Sequence, residues 1–210
     1  MRRKEYEGTD ISVTFDMKRC IHARNCFLKL PQVFDPAQRP WVQPDNAPAE
    51  EIAAMVRTCP SGALAFRKAD AEEIAPPINR IAVFENGPLA FAGSISTEEG
   101  EVETRVTLCR CGLSKNKPYC DYSHVEGGFV ATGEPSPKSP PASEERGGAL
   151  KAFRLPDGPL KVVGNVELTT GTGMKIESHA KAFLCRCGAS KNKPYCDGSH
   201  KDAGFSDPMT

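Results

Sequence analysis

Short runs of alternating apolar and polar residues cover much of this chain, and one run instead repeats with helical spacing. Residues 11–15 alternate as in a half-buried strand, and residues 63–66 form a second short apolar run able to pair with it. Between them, residues 48–58 read as a helix. Ile52, Met55 and Val56 form its apolar stripe, Asn46 is the candidate cap, Pro48 falls in the first turn, and Cys59-Pro60 ends it. Further along, residues 102–108 place apolar side chains on even positions and Glu103, Arg105 and Thr107 on the other face. Residues 174–184 alternate likewise, turning Lys175, Glu177, His179 and Lys181 outward, so His179 is expected to be a solvated strand residue. These patterns predict an α+β chain of small, β-rich domains.

Composition sharpens the picture. Only 39% of the 210 residues are hydrophobic and 7% aromatic, thin for one large core, and 18 Gly and 18 Pro keep elements short. Domains of this kind gain stability from bound metal. Lys plus Arg and Asp plus Glu each count 27, giving no net charge, which argues against nucleic acid as a partner. The first four residues are basic, but no apolar stretch follows as in a signal peptide. No run approaches the roughly 18 apolar residues of a membrane span. The expectation is a cytoplasmic protein without a membrane partner. In a reducing compartment nine cysteines, an odd number, read as metal ligands rather than disulfides.

The chain also matches itself. The sixteen residues from Cys109 to His124 recur from Cys185 to His200, and only two positions differ: Leu113 against Ala189, and Tyr122 against Gly198. The likeness runs outward, Asn86-Gly87-Pro88-Leu89 matching Asp157-Gly158-Pro159-Leu160, each followed four residues later by a glycine, Gly93 or Gly164. Two copies of one unit, 78–131 and 149–207, therefore flank a Pro-rich linker at 132–148.

Each copy reads Cys-x-Cys, eight residues, Cys, three residues, His. Cys-x-Cys on extended chain presents two thiolates to one metal, with Gly112 or Gly188 giving a permissive backbone beside it. The Lys-Asn-Lys-Pro segment then returns the chain for the third thiolate, and Asp-x-Ser-His forms a tight turn. Three cysteines and a histidine are also a zinc set, although structural zinc sites usually pair their ligands in two Cys-x₂₋₄-Cys-like hooks.

The motif Cys-x-Cys-x₂-Ser-x₃-Pro-x-Cys-Asp-Gly-Ser-His closely resembles that of the mitoNEET-like CDGSH iron–sulfur proteins. The second copy fits at every defined position; the first departs once, at Tyr122. The resemblance implies two [2Fe–2S] clusters, one on Cys109, Cys111, Cys120 and His124, the other on Cys185, Cys187, Cys196 and His200. Family members with one motif form intertwined dimers, so a tandem chain is expected to be a monomeric intramolecular pseudo-dimer. One imidazole in place of a thiolate makes reduction easier than at an all-cysteine site. Ser114 and Ser190 are candidates either to donate to bridging sulfides or simply to form the turn. Lys115, Lys117, Lys191 and Lys193 read as a solvated face or a partner-docking face.

The first 70 residues differ. Cys20, Cys26 and Cys59-Pro60 resemble a divergent single-cluster ferredoxin domain, with Ala23 where the middle cysteine of Cys-x₂-Cys-x₂-Cys would stand. Three thiolates there suit a [3Fe–4S] cluster, or a [4Fe–4S] cluster with a non-cysteine ligand, His22 being near in sequence. The other reading is a ferredoxin-like fold that has lost its cluster.

No catalytic triad, phosphate loop or nucleotide fingerprint occurs, so no enzyme is expected. Three functions compete: electron transfer or redox sensing with a redox partner, cluster storage and delivery to an apo iron–sulfur protein, and a zinc-stabilised interaction module. Histidine ligation carries its own prediction, because a protonated imidazole cannot ligate. Replacing His124 or His200 by cysteine slows loss of visible absorbance on acidification at that site and lowers its reduction potential. Decay of both variants at the parent rate would remove histidine from the ligand set.

Overall fold

The computed structural model describes residues 3–69, 71, 73–97, 102–136 and 146–208. The chain divides into two compact units, 1–74 and 75–210.

In the first unit, β1 (Lys4–Tyr6) and β3 (Leu64–Arg67) pair antiparallel on either side of β2 (Ser12–Phe15). The two apolar runs of the sequence thus meet, Val13 opposite Phe66 and Phe15 opposite Leu64. A one-turn helix, α1 (Asn25–Lys29), and the longer α2 (Ala49–Arg57) complete the unit. The α2 stripe of Ile52, Ala53, Met55 and Val56 is buried against Val13, Phe34 and Phe66. Burying a side chain of this size contributes about 1.5–3 kcal/mol, so these few contacts supply most of the small core. Asn46 is not the cap. Pro48 occupies that position without a side-chain hydrogen bond, and Asn46 closes a preceding 3₁₀ turn, donating to the Gln32 carbonyl and the Gln43 side chain.

The second unit is one sheet built from β4 (Arg80–Val83), β5 (Leu89–Ser96), β6 (Val102–Leu108), β7 (Ala149–Arg154), β8 (Leu160–Thr170) and β9 (Lys175–Leu184). A further single-turn helix, α3 (Ser123–Glu126), carries the end of the first motif. Each repeat supplies three strands in antiparallel succession, β4–β5–β6 and β7–β8–β9. Each also lends its first strand to the other: β4 pairs parallel with β8, and β7 parallel with β5.

The two glycines matched in the sequence stand where the strands change partner. Along β5, residues 89–92 pair with β4 and residues 94–96 with β7; along β8, residues 160–163 pair with β7 and 167–170 with β4. Register shifts follow Ala92 and Val163, at Gly93 and Gly164. A Cβ at Gly93 would lie 2.2 Å from Asn79 Oδ1, and one at Gly164 would lie 2.5 Å from the Ala149 carbonyl. Asn79 itself ties the crossing together, donating to the carbonyls of Gly148 and Asn165.

Part of the outward assignment is overturned. Glu177 is buried and accepts from the Tyr195 hydroxyl, and His179 is half-buried with its Nε2 2.8 Å from that hydroxyl. Arg105 and Thr107 are buried as well. The reason is that the metal motif folds back over β6: Cys120 N donates to Thr107 O and Cys109 N to Pro118 O.

Alanine at Gly164 forces overpacking against backbone. The expected cost is about 1–3 kcal/mol, read as a lowered denaturation midpoint. An unchanged midpoint would show that the strand crossing tolerates a side chain.

Candidate metal centres

The Cys-x-Cys ends of β6 and β9 run straight off the sheet, and the loop after each returns as a bridge, Leu108 to Tyr119 and Leu184 to Tyr195. The turn is built from its own side chains. Ser114 Oγ donates to Tyr119 O at 2.6 Å and accepts from Asn116 N at 3.0 Å; Ser190 does the same with Tyr195 and Asn192. Their hydroxyls are thus committed to the turn, not to a cluster. Lys117 Nζ donates to Ser114 O at 2.7 Å and Lys193 Nζ to Ser190 O at 2.5 Å. Asp121 and Asp197 hold the last corner, each accepting from the following serine and from the amide of Lys115 or Lys191.

This scaffold brings the ligands together in pairs. The sulfurs of Cys109 and Cys111 are 3.7 Å apart, as are those of Cys185 and Cys187. Cys120 Sγ is 3.4 Å from His124 Nδ1, and Cys196 Sγ is 3.4 Å from His200 Nδ1. A tetrahedral metal with bonds of about 2.3 Å to sulfur and 2.0 Å to nitrogen separates two sulfurs by about 3.8 Å, and sulfur from nitrogen by about 3.5 Å. Each pair therefore fits one metal. Among the described residues, no three His, Cys, Asp or Glu side chains gather as they would round a single ion.

Without metal, most of the ligand thiols keep their protons, Cys109 excepted. The Cys111 thiol, with amides of Ser114 and Gly112, draws Cys109 down to about 6 against the opposing effect of burial. Cys111 is pushed up by its bond to Cys109 and by burial; burial pushes Cys120 up to about 12. Burial also raises Cys185, against amide hydrogen bonds from Ser190 and Gly188. Burial holds His124 below the usual imidazole range, leaving the ring neutral and able to ligate. Loading then displaces thiol protons.

The two sites abut. Gly112 has φ +83° and Gly188 φ +82°, and a Cβ at either would lie 2.6 or 2.4 Å from the carbonyl oxygen of Cys187 or Cys111. Only glycine gives both the left-handed backbone and the clearance.

Two buried arginines sit between the paired cysteines of the two motifs, where the ligand pattern of the sequence does not single them out. Arg110 is 1% exposed and donates to the carbonyls of Gly87, Thr132, Phe84 and Ala131. Burial lowers it to about 10, against the negative charges of Cys185, Glu85 and Cys111. Arg186, 4% exposed, pairs with Asp207 and donates to Leu155 O.

In the first unit, Cys20, Cys26 and Cys59 line one cavity together with Ala23, Asn25 and Ser61. Cys59 follows α2, and Cys26 lies in α1 just after Arg24, whose φ is +64°. Burial raises the Cys20 and Cys26 thiols against the amides of His22 and Phe27; Cys59 raises both further, and Cys20 raises Cys26. Asn25 Nδ2 donates to Thr58 O, and Ser61 Oγ lies 3.6 Å from Cys59 Sγ. The cavity wall includes Ala23 but not His22.

Comparison with known proteins agrees with this division. The model of the iron-binding zinc finger CDGSH type matches residues 86–125 and 157–201. The model of the divergent 4Fe-4S mono-cluster matches residues 6–69. Among curated proteins, the uncharacterized protein YjdI of Escherichia coli, from strain K12 and from O157:H7, is 36% identical over 62 residues, covering 30% of this chain and 82% of the relative. No solved structure matches. The chain belongs to the CDGSH iron-binding family through its two C-terminal units, which follow an N-terminal domain of the divergent 4Fe-4S mono-cluster type.

Proposed function

We propose that this iron–sulfur protein holds two [2Fe–2S] clusters in an intramolecular pseudo-dimer and works in electron transfer or redox sensing. The observation that carries the reading is the pairing of ligands, sulfur with sulfur at 3.7 Å and sulfur with nitrogen at 3.4 Å, in both repeats. Two separate pairs suit a two-iron cluster with one pair per iron; a single zinc ion would need all four donors round one point. Cys109 and Cys111 would hold one iron of the first cluster, Cys120 and His124 the other, with Cys185, Cys187, Cys196 and His200 alike in the second. Such a cluster supplies one-electron exchange when bound. The residues supply its setting: buried Arg110 places a cation near Cys185 and Cys111, and Gly112 and Gly188 each lie against the other repeat's Cys-x-Cys backbone.

The pseudo-dimer reading draws on the reciprocal strand pairing, β4 with β8 and β7 with β5. In the first unit, Cys20, Cys26 and Cys59 would hold a 4Fe–4S-type cluster, the three thiols lining one cavity. The function needs a redox partner, with no substrate turned over. No helix among the described residues is long and apolar enough to cross a membrane, and the protein is read as acting away from one. Delivery of a cluster to an apo acceptor is the second reading, favoured by the exposure of the second site's ligands.

Purified protein should be coloured, with about four irons and four sulfides from the C-terminal sites and about four more of each from the N-terminal one. Cys120→Ala should remove about two irons and Cys26→Ala about four. Native zinc in a colourless protein would sink the reading; a total stopping at four irons would leave the N-terminal domain without a cluster. Gly188→Ala, by wedging the two motifs apart, is expected to lower iron occupancy at both sites, whereas a loss at one site only would argue against their mutual support.

A further inference from the structure

The two metal centres are not equally covered. In the first, Cys109, Cys111, Cys120 and His124 are all buried; in the second only Cys185 is, while Cys187, Cys196 and His200 are half-exposed. The sixteen-residue motifs differ at two positions, and both put bulk on the first site. Tyr122 stands edge-on to His124 with ring centroids 5.2 Å apart, whereas a Cβ at the corresponding Gly198 would meet no atom within 4 Å. Leu113 lies across the helix end carrying His124, so close that a Cβ at Gly127 would fall 2.1 Å from its Cδ1; the second site has Ala189 there. Tyr122 takes this post at φ +76°, a left-handed backbone conformation that is unfavourable for a non-glycine residue. Gly198 adopts the same turn at φ +92° without that cost. A strained tyrosine thus stands against one histidine, and open space at Gly198 lies beside the other.

We infer that the second centre is the exchange site, which yields its cluster to a thiol-bearing acceptor, and that Tyr122 and Leu113 make the first the retaining site. The inference rests on the reading that both hold [2Fe–2S] clusters. Exchange is ligand substitution without change of oxidation state. Each iron–thiolate or iron–imidazole bond that breaks is replaced by a bond to an acceptor thiolate, and the vacated cysteine and histidine side chains take up the protons that the acceptor thiols release. Incoming donors would reach the second site first, at the half-exposed His200 and Cys196, because Cys120 and His124 are buried and the Tyr122 ring stands edge-on to His124.

The test uses the full chain carrying Cys26→Ala, so that iron in the N-terminal domain does not contribute, challenged with excess EDTA at one neutral pH. Iron is counted before mixing and absorbance followed afterwards. Expected are two phases of equal amplitude with rates on the order of tenfold apart, the scale on which groups supporting metal ligands act. Tyr122→Gly moves the slow phase toward the fast one and leaves the fast phase alone; Gly198→Tyr, where a Cβ meets no atom within 4 Å, slows the fast phase. Leu113→Ala quickens the slow phase by a smaller factor. A single phase from a chain that starts with four irons overturns the inference while leaving the two-cluster reading intact, as does a Tyr122→Gly variant that alters the fast phase only. A chain starting with two irons or fewer would overturn the two-cluster reading, and this inference with it.

Discussion

Close approach of two backbones at Gly112 and Gly188 is the constraint on which the second unit depends. Each Cys-x-Cys segment leaves its strand, turns through a left-handed residue and lies against the carbonyl of the other segment's cysteine. Any Cβ there would collide with backbone, which has no rotamer to yield. That contact fixes where both thiolate pairs stand. It also demands that β6 and β9 deliver the two motifs to the same place, and the strand exchange does so. β4 and β7 each cross to the other repeat, and Gly93 and Gly164 let β5 and β8 change partners in mid-strand. The four glycines thus act at two levels, one pair closing the sheet and the other joining the sites.

Much of the candidate site was legible in the sequence because it is repeated. Ligand spacing, the turn residues and the departure at Tyr122 all emerge from aligning the chain with itself, and Tyr122 does adopt the positive φ that a glycine position implies. The first unit's strand pair and helix were legible from periodicity. Legibility failed where local rules met long-range contacts. Glu177 alternates outward along an ideal strand, yet the metal motif folds back and lays Tyr195 over that face. Asn46 has cap chemistry, but the chain spends it on a 3₁₀ turn two residues earlier. Arg110 and Arg186 were overlooked because a charged residue between two ligands reads as solvent-facing, and only the folded chain shows four carbonyls converging on one guanidinium.

Those arginines also show that the repeats have diverged beyond their motifs. The guanidinium of Arg110 donates to carbonyls alone, with the carboxylate of Glu85 exposed and engaged with the Gly133 amide. Arg186 has Asp207 directly on it, and Arg154 shares that carboxylate. A buried cation without a paired anion is costly, so Arg110 stands in particular need of negative charge nearby. Cys185, in the opposite repeat, is the largest negative influence on Arg110, ahead of Glu85 and of Cys111, its neighbour in sequence. A thiolate held by a bound metal would still carry negative charge toward Arg110, lessened by the charge of the metal itself. Because Cys185 belongs to the opposite repeat, the setting of Arg110 draws on both motifs, so the two centres would behave as one electrostatic unit rather than as independent sites.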